Sequence, residues 1–391
     1  MLSRRQIVAV APAFGLGMWA FERPASAQPG AGPTAPLIGR FQVTANRPWT
    51  QVYVEGQGPF RFLIDTGAST SIIDPALAAR LNLPRLQDAQ LQGATAERTV
   101  EMYVSRQVVV AETLRQRGQV VFAAGAVGAD FDGVLPGAIF TAANTEIDFA
   151  AGEFRIYPSG APDRTGFTRL PLTADAHGRQ SGRLVVAVRL DGRPLNLMLD
   201  TGGAGSVLLS GEYVGKNKLW DRYAKWEPGE GQGLLTSFPL RLVRAQSLEF
   251  GPARLDRPVI HLTDPFNPPG DQGDGVIGMD VLRRFTLSTD PGGAALWVKP
   301  NGALNEPFRY NRAGLEARLD AGLCTVKRVR PGGPAARAGV LVGDGLPEIA
   351  GPRDLARFDW LLSEAPGAKV DFEIERAGRR APVSMVLEDL L

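Results

Sequence analysis

Only one cysteine, Cys324, and two histidines, His177 and His261, occur in 391 residues. A single thiol excludes an intrachain disulfide, and a zinc site of the usual Cys/His kind cannot be assembled. A Ser-His-Asp hydrolase would need one of the two histidines, and neither sits in a recognisable motif. No metal and no cofactor is implied. There is also no block of one charge: the formal net charge of +2 is spread along the chain, so nucleic acid is not an expected partner. Apolar runs of membrane-spanning length are absent too; the longest, Ile7 to Phe21, is short for a span. These scarcities narrow the catalytic choices toward carboxylates. What is abundant is punctuation. The 46 glycines and 30 prolines, with 44% hydrophobic residues, favour a turn-rich, mainly β protein able to bury real cores.

The N-terminus reads as a targeting segment. Ser3-Arg4-Arg5-Gln6-Ile7-Val8 opens with paired arginines, the apolar stretch follows, and Ala25-Ser26-Ala27 supplies small residues at signal-peptidase spacing. Residues 1–27 are therefore expected to be a signal peptide of the twin-arginine or Sec type, an uncleaved anchor being the alternative. The mature chain is expected to begin near Gln28, to lack a stable membrane span and to be exported, to the periplasm of a bacterium. Residues 28–38, rich in Pro, Gly and Ala, read as a lead-in.

The tripeptide Asp-Thr-Gly then occurs twice, each time after apolar residues. Phe62-Leu63-Ile64 precedes Asp65-Thr66-Gly67, and Leu197-Met198-Leu199 precedes Asp200-Thr201-Gly202. The surroundings repeat as well. A turn at Gly56-Gln57-Gly58-Pro59 leads into the first copy. Asp191-Gly192, a strong type I′ hairpin signal because glycine accepts positive φ, leads into the second. Downstream, Val134-Leu135-Pro136-Gly137 and Val276-Ile277-Gly278 are each followed by a strand pair: Thr145 to Phe149 with Phe154 to Tyr157, and Phe285 to Thr289 with Ala294 to Val298. This is an internal duplication. It divides the chain into a lobe at 28–160, a second at 165–305, and a remainder at 310–391. In the remainder, Arg312 to Asp320 has helical spacing, Cys324 begins a strand, Asp354 to Ser363 is amphipathic, and a closing hairpin surrounds Ala377-Gly378.

A lone Asp-Thr-Gly is weak evidence, since an Asp opening a turn and a Gly after it also make an ordinary strand end. Two copies in matching places, each delivering a charge to the edge of an apolar strand, are not explained that way. Two carboxylates about 3 Å apart cannot both ionise comfortably, so such a pair retains one proton near working pH. The ionised member can take a proton from water while the protonated member polarises a carbonyl. Thr66 and Thr201 can hydrogen-bond across to the opposite loop, and Gly67 and Gly202 let backbone N–H groups approach the carboxylates. Ser69 and Thr70 stand where a hydroxyl could support the outer oxygen of Asp65, whereas Ser206 is farther from Asp200.

These residues resemble the aspartic proteases, particularly the retropepsin-like branch, with both halves on one chain as in pepsin-like enzymes. The resemblance covers roughly residues 40–300. It implies a bilobal β fold with an extended peptide in a cleft between the lobes, under hairpin flaps, and Asp65 and Asp200 as the catalytic pair. Flap candidates are Gly93, Ala94 and Thr95 in the first lobe and Gly231 in the second. The family's apolar-apolar-Gly element beneath each Asp loop is matched by Val276-Ile277-Gly278. In the first lobe Pro136 stands in the glycine's place and Gly137 comes one residue late.

The C-terminal residues resemble a bacterial PDZ domain, an α/β module, on Val329-Arg330-Pro331-Gly332-Gly333-Pro334-Ala335-Ala336-Arg337-Ala338-Gly339 and Gly343-Asp344. By that resemblance Gly322, Leu323 and Cys324 form the loop and strand edge that receive a peptide, with Cys324 a small apolar residue rather than a nucleophile. The expectation is an exported aspartic endopeptidase acting on protein or peptide substrates, with the PDZ-like domain recruiting or selecting them. The alternative is a catalytically inactive, protease-like peptide-binding protein acting through that domain.

Overall fold

The computed structural model describes residues 21–22, 35–92, 97–116, 118–125, 130–173, 183–232, 237–265, 273–320 and 322–391. Of the targeting segment only Phe21–Glu22 falls among them, as a two-residue strand beside Leu114–Gln116; the paired arginines and the Ala25-Ser26-Ala27 site lie outside the described residues. Among the described residues no helix is long and apolar enough to cross a membrane.

Each half builds the same local piece of sheet. In the first, Arg47–Val54 turns back into Gln57–Asp65, and the sheet then runs through Gly133–Pro136 and Ser71–Ile73 to Val120–Ala124. In the second, Val185–Leu190 turns into Arg193–Leu199, and the sheet runs through Gly275–Ile277 and Val207–Leu209 to Val259–Thr263. The hairpin turns explain the tight reversal. Asp191 (φ 50°) and Gly192 (φ 76°) both occupy the left-handed region that a type I′ turn needs. The first lobe's turn falls one residue earlier than its Gly-Pro signal suggested. Glu55 (φ 49°) and Gly56 (φ 74°) make it, and Gln57 already pairs with Val54.

A six-stranded antiparallel layer joins the halves, in the order Leu37–Arg40, Glu153–Tyr157, Asn144–Asp148, Phe285–Thr289, Ala295–Pro300, Thr168–Thr173. Its central pair takes one strand from each half, with Ile147 opposite Leu287. Alternation along these strands sends Ile147, Phe154, Leu287 and Val298 into one continuous apolar core shared by both lobes. Phe62 meets Phe122 edge-on at 6.1 Å and Phe250 meets Phe285 at 5.0 Å. All four rings are fully buried, each contributing about 1.5–3 kcal/mol by removal from water.

Residues beyond 312 have their own core of Leu315, Cys324, Val326, Ala335, Leu346, Phe358 and Phe372. It is enclosed by the hairpins Leu315–Asp320 with Leu323–Val329 and Lys369–Arg376 with Arg379–Val386, and by helices Pro334–Arg337 and Pro352–Leu361. The helix expected over Arg312 to Asp320 is not formed: Leu315–Asp320 is a strand. Gly314 sits at φ 65°, which no helix accommodates, and Leu315, Ala317 and Leu319 reach the core at the period of two that pairing demands. The chain then returns: Leu391 is buried in the core shared by the two lobes.

Candidate active site

Asp65 is the last residue of its strand, and Asp200 directly follows the matching one. After each, the chain makes the same turn. The amide of Ala68 donates to the carbonyl of Asp65 at 3.2 Å, and that of Gly203 to the carbonyl of Asp200 at 3.3 Å. The two loops meet. The hydroxyl of Thr66 donates to Leu199 O at 2.8 Å and accepts from Thr201 N at 3.1 Å. The hydroxyl of Thr201 donates to Ile64 O at 2.7 Å and accepts from Thr66 N at 3.0 Å. Both threonines are 1% exposed, so four backbone groups that would otherwise be buried unpaired are satisfied by two side chains.

This reciprocal grip brings the carboxyls of Asp65 and Asp200 into a shared hydrogen bond. The glycines are there for clearance. A Cβ on Gly202 would stand 2.7 Å from Asp65 Oδ2, and one on Gly67 3.1 Å from Asp200 Oδ1. The inner oxygens are held by backbone: Asp65 Oδ1 accepts from Gly67 N at 2.8 Å and Ala68 N at 3.1 Å, and Asp200 Oδ1 from Gly203 N at 3.0 Å. Burial is the largest influence on both acids and pushes both upward. For Asp65 the charge of Asp200 adds to burial, and the Gly67 and Ala68 amides oppose it. For Asp200 the amides of Gly203 and Gly202 and the positive charge of Arg47 oppose it. The net direction for the pair is well above the ordinary carboxylate range, so it keeps a proton at neutral pH.

The remaining site candidates are placed as follows. Ser206 does not support Asp200; its hydroxyl bonds Val259 O instead. Gly93, Ala94 and Thr95 lie outside the described residues, between the paired strands Ala89–Gln92 and Glu97–Val100. Gly231 pairs with Phe238 in the hairpin of Glu227–Gln232 with Ser237–Arg244. Gly322 has φ 82°, Leu323 is 72% exposed and Cys324 is buried. Burial pushes the Cys324 thiol up to about 11, so it stays protonated. Among the described residues no group of three or more His, Cys, Asp or Glu side chains could hold a metal ion.

The late glycine of the first lobe is in place, and two further features, at Asn46 and Asp280, were not found by reading the sequence. Gly137 packs directly beneath Thr66, where a Cβ would lie 2.7 Å from Thr66 O, and its amide bonds Ala68 O at 3.2 Å. Asn46 Nδ2 donates to Ala204 O at 2.6 Å, tying the turn before Arg47–Val54 to the opposite Asp loop. Asp280 is buried under that loop with Arg283 and Arg284. The turn residues Ala45-Asn46, both at positive φ, were the one local signal available for Asn46.

Comparison with known proteins places this geometry. The aspartyl protease family model matches residues 50–136 and 186–281, one stretch in each lobe and each containing one Asp-Thr-Gly. No curated protein matches. Among solved structures, the crystal structure of Basic 7S globulin from soybean is similar at 10% sequence identity and a TM-score of 0.42, over 68% of this chain and 95% of that chain. On the family match, the two aspartate loops stand in a mainly β, aspartic protease-like fold.

Proposed function

We propose that this protein is an aspartic endopeptidase that hydrolyses peptide bonds with water activated between Asp65 and Asp200. The observation that carries this reading is the hydrogen-bonded carboxyl pair held by reciprocal Thr66 and Thr201 bonds. A pair retaining one proton has both a base and an acid ready. The ionised carboxylate takes a proton from water as its oxygen bonds the peptide carbon, and the protonated carboxyl gives its proton to the carbonyl oxygen. As the resulting diol collapses, a hydroxyl proton returns to the pair, the C–N bond breaks, and the amine leaves with a proton from the acid. Turnover needs one proton on the pair. It therefore declines as pH rises through the upper, raised step, and again in acid when the second carboxyl protonates.

The rest of the assignment follows the sequence. Residues 28–160 and 165–305 form the two lobes, Thr66, Gly67, Thr201 and Gly202 shape the pair, and Gly231 belongs to a flap. Residues 310–391 act as a PDZ-like domain that recruits protein or peptide substrate at Gly322, Leu323 and Cys324. Residues 1–27 direct export to the periplasm. One observation favours a second reading, a peptide-binding protein without turnover: Pro136 supplies no N–H beneath the first Asp loop. Cleavage of a peptide library by the mature protein and by its Asp65→Ala and Asp200→Ala variants, from acid to neutral pH, separates the readings. Wild-type turnover falling at least about 10³-fold in each variant is expected. Turnover that persists in both variants overturns the pair mechanism. No wild-type turnover, with peptide binding intact, supports the second reading.

A further inference from the structure

Arg47 is a half-buried cation beside the site. It begins the strand Arg47–Val54, directly after the turn Ala45-Asn46. Asn46 pins that turn to Ala204 O at 2.6 Å, and Ala204 follows Gly203, whose amide holds Asp200 Oδ1 at 3.0 Å. The base of the Arg47 side chain is therefore fixed at the seam between the first lobe and the second Asp loop. Among the described residues Arg47 has no ion pair, and its Nε is buried with no hydrogen-bond partner. Its neighbour Asn46 likewise leaves Oδ1 buried without a donor. Arginines held at a junction are normally paired, because a guanidinium carries five donors and a desolvated, unbonded one costs free energy. The field of Arg47 does reach the acidic pair, where it favours the ionised form of Asp200.

We propose that Arg47 is a specificity-determining residue that receives a substrate carboxylate, so that the preferred peptides carry Asp or Glu close to the bond that is cut. This rests on the peptidase reading for its cleavage test but not for its binding test. A carboxylate fits the guanidinium better than any neutral group because it accepts two parallel N–H bonds and cancels the charge. Arg183 holds the matching place in the second lobe, two residues before Val185 as Arg47 is two before Trp49.

The experiment uses the mature protein and matched peptides with Glu or Gln at each position flanking the cleaved bond. It measures kcat/KM for wild type and for Arg47→Gln, Arg47→Lys and Arg47→Glu. Binding of the same peptides to Asp200→Asn is followed by fluorescence anisotropy, a readout that needs no turnover. The expected result is a Glu-over-Gln preference of about 10–100-fold at one position. It should collapse in Arg47→Gln, survive in part in Arg47→Lys and invert toward Lys peptides in Arg47→Glu. If Arg47 only tunes the acidic pair, its variants shift the pH profile while Glu and Gln peptides are treated alike, and the proposal is overturned. Equal handling of Glu and Gln by wild type, in cleavage and in binding, also overturns it and leaves the peptidase assignment standing. An Arg47-dependent Glu preference in binding, without turnover by wild type, upholds the proposal and removes the peptidase assignment instead.

Discussion

Beneath the second Asp loop three backbone amides point upward; beneath the first there is one. Gly278 N donates to Ser206 O at 2.6 Å, Met279 N to Gly203 O at 2.8 Å and Asp280 N to Gly205 O at 3.0 Å. In the first lobe Pro136 occupies the place of Gly278, opposite Asp65 in the sheet, and has no N–H to give. Gly137 N then makes the bond to Ala68 O that Met279 N makes to Gly203 O. The short helices that follow differ in kind. Met279–Leu282 carries Asp280, which accepts from Arg309 N at 3.0 Å and faces Arg283 at 3.2 Å and Arg284 at 3.7 Å. Arg284, 1% exposed, also bonds Asp280 O and Leu304 O. Ala138–Thr141 holds no charge and packs by Ile139 and Phe140, with Ala138 against the same core. The halves are therefore alike where the carboxyls meet and unlike one layer down. A two-carboxylate site needs matched geometry at the reacting atoms, and different supports can deliver it.

The C-terminal residues rest mainly on the second lobe, with an ion pair to the first between Arg353 and Asp130 at 3.6 Å. Glu227, at the foot of the Gly231 hairpin and 6% exposed, lies against Arg328 at 3.7 Å and bonds Arg330. Arg318 reaches Glu230 at 3.1 Å, and Asp389 lies 3.7 Å from Arg257. Burial pushes Glu227 up while Arg330 and Arg328 pull it down. A carboxyl in that position has little value without its arginines, so this contact reads as a seat with a defined register rather than a loose surface pairing.

The largest test of the comparison is Arg284→Met, which leaves the carbonyls of Asp280, Leu304 and Glu306 without their shared donor and takes one of two arginines from the buried Asp280. A loss of about 3–5 kcal/mol is expected in urea unfolding. The contrasting change, Thr141→Val in the first lobe, removes one 3.5 Å bond to Ala138 O and should cost less than about 0.5 kcal/mol. Equal costs for the two would show that the supports do not differ as drawn. Next come Thr66→Val and Thr201→Val. Each deletes one hydroxyl that both donates and accepts across the lobes, so each should cost about 1–3 kcal/mol and lower kcat. Here the lobes should behave alike, and a tenfold difference in kcat between the two variants would break the symmetry claimed at the reacting atoms.

A smaller difference should appear in acid. His261 stands beside Gly205 under the second loop, where a Cβ on that glycine would be 2.4 Å from its ring, and burial pulls its pKa down to about 4. The folded value lies below the unfolded one. The stabilising contribution is therefore complete above about pH 6.5 and is lost as pH falls through about 4, up to roughly 2–3 kcal/mol. His261→Gln should flatten the fall in the urea midpoint between pH 7 and pH 4.5. An unchanged fall would assign acid sensitivity elsewhere.

What could be read from the chain was whatever chemistry is local. Asp65 and Asp200 announce themselves because strand, turn and carboxylate are consecutive residues, and Asp191-Gly192 because its two φ angles are set by the dipeptide. The strand at Leu315–Asp320 was misread as helix because its apolar residues satisfy both periods, and only pairing with Leu323–Val329 decides between them. Asn46 and Arg47 drew no notice because the partner of Asn46, Ala204, is 158 residues away. The buried cluster of Asp280 with Arg284 has no local signature, because its partners Leu304, Glu306 and Arg309 come from farther along the chain.

Pro136→Gly is the mildest and sharpest of these substitutions. It restores an amide opposite Asp65 and adds backbone freedom to the unfolded chain, which should cost no more than about 1 kcal/mol. Gly137 already reaches Ala68 O, and the carboxyls are positioned by the threonines rather than from below. Turnover is accordingly expected to stay within about threefold of wild type, an energy difference smaller than one hydrogen bond. A tenfold gain in kcat would mean that the proline holds Asp65 short of its working geometry. That outcome would make the first lobe the weaker half in chemistry as well as in support. An unchanged kcat would instead show that the grip between Thr66 and Thr201 insulates the pair from the asymmetry beneath it.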